Sequence, residues 1–350
     1  MCKIKQYISL YMIGLLCFLT GCGTGTTESE NIELAMQSIT SYDYEVALDY
    51  LEVAVVQGED LQEIARGRGL AYMGLGQYEE AITYLEGALA YSDQYIDEID
   101  YDINYYLAVA YFKAGQFVDA NDTYAAIIAM KPKEESTYYL RGIVKLELGL
   151  AEEALADFQE AITLSGDNIE RMIDIFCVLT EYGETDNASI ILEEAMAADQ
   201  NKMSDFEKGK IYFYLEDYEE ARIALEKVKD TEGVEAVYYL GKTYEVLGDY
   251  NYALSVYNNY LSENTEDATI YNQLGLCQMM LGDYQAALTA FQAALAIEGS
   301  GLTQSLKYNE IICYEYLGEF AQATVLMKTY LTTYPNDADA MREYEFLQTR

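Results

Sequence analysis

The sequence has no histidine, no tryptophan and only two prolines in 350 residues. Without histidine the commonest general base and metal ligand is missing, which weighs against an enzyme. Without tryptophan the best ring-stacking side chain is missing too. The two prolines leave long stretches in which no helix need break. Basic residues are also scarce: 21 Lys and Arg stand against 60 Asp and Glu, a formal charge of −39. Lys3 and Lys5 lie near the N-terminus, so the rest of the chain is more acidic still. Such a field repels nucleic acid and anionic membrane and attracts cationic partners. It also suits a heavily solvated surface that resists aggregation, and by itself it defines no site.

What is abundant is apolar and aromatic. Hydrophobic residues make up 51% of the chain and tyrosine alone accounts for 36 positions, enough for a large core. The N-terminus sets Lys3 and Lys5 before an apolar stretch from Tyr7 to Leu19. That stretch is too short to span a bilayer as a helix and suits the core of a signal peptide. It ends in Leu19-Thr20-Gly21-Cys22, which resembles the lipobox of bacterial lipoproteins. The resemblance implies a leader over 1–21 and lipidation at Cys22 with diacylglyceryl and palmitate-type chains. A tether then follows over 22–30, written GTGTTESE from Gly23 to Glu30. An ordinary signal peptide with an incidental cysteine is the alternative. Two or more acyl chains would anchor the protein stably, at ~0.8 kcal/mol per buried CH₂. The expected location is extracytoplasmic, on the outer face of a cell membrane or on an outer membrane. Contact with the membrane is expected through the lipid only.

From residue 31 onward the chain repeats with a period near 34. An alanine marks each of nine units: Ala47, Ala81, Ala120, Ala154, Ala188, Ala221, Ala253, Ala287 and Ala323. Five residues earlier seven units have glycine (Gly76, Gly115, Gly149, Gly183, Gly248, Gly282, Gly318), which suits a left-handed turn after a first helix. Three residues earlier seven units have an aromatic, with Ala151 and Thr185 the departures. Twelve residues earlier small side chains recur, among them Gly69, Gly142, Gly209, Gly241 and Gly275. Four residues later every unit is apolar or aromatic. Pro132 and Pro335 both lie twelve residues after the alanine, beyond the expected second helix.

These columns resemble the tetratricopeptide repeat, best in Gly241-Lys-Thr-Tyr244, Gly248-Asp-Tyr250, Ala253 and Tyr257. The usual tryptophan is absent throughout. The resemblance implies an all-α fold, a right-handed superhelical solenoid of about nine helix–turn–helix units over 31–337. Residues 338–350 carry Met341, Tyr344 and Leu347 on one face and are expected to form a capping helix. An insertion between the second and third units carries Asp93, Asp97, Glu98, Asp100 and Asp102. It lacks EF-hand spacing and is expected to be a solvated acidic loop rather than a metal site. Cys277 and Cys313 hold matching places in consecutive units. Stacked helices sit about 8–10 Å apart and a disulfide needs Cα atoms within about 7 Å, so both are expected to stay reduced.

In this family the groove-facing row lies fifteen, eleven and eight residues before the alanine. Carried over, the row reads Tyr105, Val109 and Phe112; Tyr139, Ile143 and Leu146; Phe206, Lys210 and Phe213. It continues with Tyr238, Lys242 and Glu245; Asn272, Leu276 and Met279; Tyr308, Ile312 and Glu315. An apolar groove with an acidic rim suits a protein or peptide partner that is basic or amphipathic. A tightly wound superhelix that buries the row as its own lining is the other reading. The basic clamp of chaperone-binding members is absent, since only Lys210 and Lys242 are basic here.

No phosphate loop, nucleophile elbow or histidine relay is present, so neither catalysis nor a cofactor is expected. Two functions remain: an interaction scaffold for an envelope, secretion or surface complex, and a glycan-binding lipoprotein whose groove tyrosines stack on sugar rings. Extended peptide is the usual occupant of helical-repeat grooves, which favours the scaffold. Neighbouring genes for transporters and glycosidases would favour the glycan reading. The anchor is directly testable. Cys22→Ser should release the protein from membranes or leave an unprocessed precursor. Mass spectrometry finding an unmodified mature N-terminus elsewhere would rule the anchor out.

Overall fold

A computed structural model describes residues 30–92, 97–198 and 203–350. The leader, Cys22 and Asp93 lie outside the described residues. Among those described there are nineteen helices and no strand, and no helix is long and apolar enough to cross a membrane. The chain divides into two compact units, one ending at Ala195 and one beginning at Met196.

In the first unit α1 (Glu30–Thr40) pairs with α2 (Tyr44–Gln57), and α3 (Leu61–Gly74) with α4 (Tyr78–Leu89). Then α5 (Glu98–Lys113) pairs with α6 (Phe117–Met130), and α7 (Glu135–Glu147) with α8 (Ala151–Leu164). Next come α9 (Ile169–Glu181) and α10 (Thr185–Ala198). In the second unit α11 (Asp205–Tyr214) pairs with α12 (Tyr218–Glu226), and α13 (Gly233–Val246) with α14 (Tyr250–Leu261). They are followed by α15 (Ala268–Met280) with α16 (Tyr284–Leu295), α17 (Thr303–Tyr316) with α18 (Phe320–Thr333), and α19 (Ala338–Leu347). Within each unit, first helices of successive hairpins also touch, as α1 touches α3 and α11 touches α13.

Every second helix begins at the aromatic column, and Ala151 and Thr185 begin α8 and α10 as the rings begin the others. The ring therefore fills space beside the turn and is not needed to start the helix. Several helices are capped by short acidic or polar side chains. Asp60 accepts from the Glu63 amide at 2.9 Å, and Ser204 forms a reciprocal capping box with Glu207. Asp267 and Asp337 cap α15 and α19 in the same way, each at 3.0 Å.

Glycine serves two different purposes in two columns. The seven turn glycines all have positive φ, between 72° at Gly76 and 83° at Gly183. A Cβ added there would meet nothing within 4 Å, so the requirement is conformational. The two units without glycine adopt the same turn regardless: Tyr42 has φ 64° and Glu216 has φ 62°. Both make the same closing bonds, with the Asp217 amide donating to the Tyr212 carbonyl at 2.9 Å as Gln77 does to Tyr72. Left-handed backbone costs a non-glycine residue roughly 1–2 kcal/mol.

The helical glycines answer a spatial requirement. A Cβ on Gly241 would fall 2.2 Å from the Tyr257 ring, and one on Gly142 would fall 2.5 Å from Phe158. Gly69 and Gly209 stand in the same relation to Leu85 and Leu225, each at 2.5 Å, and Gly275 to Phe291 at 2.6 Å. Each large partner is wholly buried. The helix backbone is thus the floor on which the second helix rests its side chain.

Two expectations are corrected. The acidic insertion is not simply a solvated loop. Asp100 and Asp102 are buried, Asp100 accepts from Gln62 Nε2 at 2.8 Å, and Asp102 pairs with Arg66. Asp97 caps α5. The last helix buries Ala340 and Leu347, whereas Met341 is 43% exposed and turned away. Cys277 and Cys313 are free and buried, and burial pushes their thiols up to about 11 and about 12.

The two glycine columns give opposite predictions. Glu216→Gly should raise stability by about 1 kcal/mol, because the strain leaves and nothing else is touched. Gly241→Ala should lower it by about 1–3 kcal/mol, although alanine is the better helix former. Urea midpoints of the two variants decide both signs.

Candidate functional site

The expected row lies on the first helices, and its members differ in access. In the first unit Tyr105 and Val109 on α5 and Tyr139, Ile143 and Leu146 on α7 are buried, while Phe112 is half-buried. Burial holds the Tyr105 hydroxyl well above its usual range. These side chains are therefore packed in the molecule as it stands.

In the second unit the row is more open. Phe206 and Phe213 on α11, Tyr238 and Lys242 on α13, Met279 on α15 and Tyr308 on α17 are all half-buried. Lys210 is 2% exposed and Asn272 is 9% exposed. The Lys210 ammonium lies 5.2 Å from the Phe206 ring centroid and 5.4 Å from that of Tyr239. The Glu235 carboxylate is 3.9 Å from it. Tyr239 organises this cluster. Phe213 meets it edge-on at 5.3 Å, Tyr238 at 5.4 Å and Phe206 at 6.4 Å. The Tyr214 and Tyr239 hydroxyls lie 3.0 Å apart.

Beside this cluster runs a chain of polar contacts. Lys242 Nζ donates to Glu245 Oε2 at 2.7 Å, and Glu245 Oε1 accepts from the Tyr257 hydroxyl at 2.6 Å. Tyr257 is fully buried, and burial, followed by the Glu245 charge, keeps its hydroxyl protonated far above the usual range. On α15, the first helix of the next hairpin, Asn272 Oδ1 is buried and accepts no hydrogen bond from the described residues. A donor arriving from a bound chain would satisfy it.

The first helices of the first unit carry charged links between neighbouring hairpins. Arg66 on α3 pairs with Asp102 on α5. Arg171 on α9 grips Glu135 on α7 through two bonds of 3.0 Å and lies 4.3 Å over the Tyr139 ring. Arg171 lies outside the expected offsets, whereas Arg66 stands fifteen residues before Ala81, at the first offset of the row. Each pair is 36 residues apart, close to one repeat period, and that spacing of opposite charges is the signal in the sequence that points to them. Tyr239 is likewise outside the row, next to Tyr238. Nothing in the three-position pattern singles it out.

This geometry can hold an extended or helical segment against aromatic rings and polar acceptors. Among the described residues no group of three or more acidic or cysteine side chains is arranged to hold a metal ion.

Comparison with known proteins agrees with the hairpin geometry. Tetratricopeptide-repeat profiles match residues 72–141, residues 135–168 and 206–231, and residues 268–300. A curated relative, the BBSome complex member bbs-4 of Caenorhabditis elegans, is 23% identical over 210 residues. The match covers 54% of this chain and 43% of the relative, so this chain spans under half of that protein's length. Yeast Tom70 superposes with a TM-score of 0.52 at 14% identity, over 91% of this chain and 80% of Tom70. A tetratricopeptide repeat protein from Parabacteroides merdae matches at 15% identity over 82% of this chain and 100% of its own, with a TM-score of 0.43. The low identities speak for the fold alone. Residues 72–168, 206–231 and 268–300 thus match tetratricopeptide-repeat profiles and are set in a chain of helical hairpins.

Proposed function

We propose that this chain is a non-catalytic scaffold, anchored to the outer side of a bacterial membrane through Cys22, that captures a protein or peptide partner. The observation that carries the reading is the half-buried aromatic cluster of Phe206, Phe213 and Tyr238 on α11 and α13. Tetratricopeptide repeats as a fold serve protein–protein interaction, and rigid aromatic side chains are the usual anchors of such contacts. The partner is basic or amphipathic. Its cationic groups answer a surface with 60 acidic residues, and its apolar groups meet the rings. The lipid anchor rests on Leu19-Thr20-Gly21-Cys22 alone.

The test begins with crosslinking in native membranes to identify the partner. Its binding to the purified chain and to the Phe206→Ala, Phe213→Ala double variant is then measured. Affinity should fall at least tenfold, or about 1.4 kcal/mol, with helical content and melting cooperativity nearly intact. Raising salt should slow association more than it speeds dissociation. If the double variant unfolds, and affinity across other variants follows stability alone, the rings are packing elements and the partner binds elsewhere.

A further inference from the structure

The turns of the last three hairpins repeat one small motif. Val246, Met280 and Tyr316 are the final residues of α13, α15 and α17. Three residues later in each case, Asp249, Asp283 and Glu319 stand at the N-caps of α14, α16 and α18. The turns between them are alike. Gly248, Gly282 and Gly318 take φ of 82°, 78° and 79°. The Asp249, Asp283 and Glu319 amides donate to the Tyr244, Gln278 and Tyr314 carbonyls at 2.8, 2.9 and 2.8 Å. Like turns hold each apolar residue and its carboxylate in the same relation. All six residues are exposed, Met280 by 67% and Tyr316 by 63%, so they are not spent on packing.

These three rungs are contiguous. Cys277 Sγ on α15 lies 3.5 Å from the Tyr250 carbonyl at the start of α14. The Tyr284 ring at the start of α16 stacks on Tyr316 at 4.4 Å. Stacked helices sit about 8–10 Å apart, so the rungs together span about 20 Å. The exposed apolar residue is no requirement of the repeat. At the same place, seven before the alanine, the second to fifth repeats have Gly74, Lys113, Glu147 and Glu181.

Charge selects the occupant. No Lys or Arg occurs in 246–253, 280–287 or 316–323. Asp283 gives one oxygen to the Ala286 amide at 3.1 Å, while Asp249 and Glu319 cap no amide. The same edge of a second copy would set carboxylate against carboxylate, so a cationic partner fits. An α-helix advances about 10.5 Å in seven residues, close to the spacing of the rungs. We propose that this edge docks a cationic amphipathic helix of a partner protein. An apolar residue every seven positions meets Val246, Met280 and Tyr316, and lysine or arginine between them meets Asp249, Asp283 and Glu319. The surface does not include Phe206, Phe213 or Tyr238, so it stands whether or not those rings capture a partner.

The probe is a labelled helical peptide of about 15 residues, with leucine every seven positions and lysine between, beside a peptide of the same composition in scrambled order. Fluorescence anisotropy with the purified chain should show the ordered peptide bound at least tenfold more tightly. Met280→Ser and Tyr316→Ser should each weaken it about fivefold, with helical content unchanged by circular dichroism. Asp249→Asn, Asp283→Asn and Glu319→Gln together should weaken it about tenfold at low salt and flatten its salt dependence. Equal affinity for the two peptides means attraction by the overall charge alone and overturns the proposal. Undiminished binding to Met280→Ser, whose side chain is too exposed for the change to unfold the chain, does so too. A loss confined to the Phe206→Ala, Phe213→Ala double variant would place the peptide on the rings and sink the edge as a docking surface.

Discussion

The contact between the backbone of one helix and a large side chain of the next is the constraint on which the remaining structure depends. At Gly241 and Tyr257, and at Gly142 and Phe158, the ring occupies space that any Cβ would take. That contact sets how near the two helices of a hairpin approach. Their separation then decides where the inner side chains of the first helices come together. The Phe206, Phe213 and Tyr238 rings lie beside that contact, because Gly209 and Gly241 stand three or four residues from them on α11 and α13. The aromatic row and the packing face adjoin on the same helices, and neither can be altered without regard to the other.

Much of the acidity has local structural work. Asp60, Asp97, Asp267 and Asp337 close helix starts, and Asp102, Asp157 and Glu135 answer arginine or lysine. Arg141 and Lys145 both converge on the buried Asp157, at 2.6 and 2.8 Å. Scarce basic residues are thus placed where a carboxylate would otherwise be buried without a partner. The many remaining carboxylates are left to the surface, where they set the long-range field that a cationic partner would meet.

The hairpin order and the start of every second helix could be read from the sequence, because glycine, alanine and aromatic positions recur at fixed offsets with a steric cause for each. The two turns without glycine were legible as departures, but their outcome was not. Only the structure shows that Tyr42 and Glu216 take left-handed backbone rather than reshape the turn. The residues of the expected row lie on the first helices of the hairpins. Its access was not legible, since offsets give direction and say nothing of depth. Tyr105, Tyr139, Leu146, Lys210 and Asn272 prove buried while Phe206, Phe213 and Tyr238 do not. On α19 Tyr344 and Leu347 pack as expected and Met341 does not, as short helices with few apolar residues allow two overlapping stripes.

The path from Lys242 through Glu245 to Tyr257 has a further consequence. Glu245 holds a lysine at the surface with one oxygen and a wholly buried phenol with the other. Tyr257 is also the ring that rests on Gly241. Lys242 therefore stands two hydrogen bonds from that buried ring. The ring that spaces α13 from α14 is thereby tied to what happens at the surface.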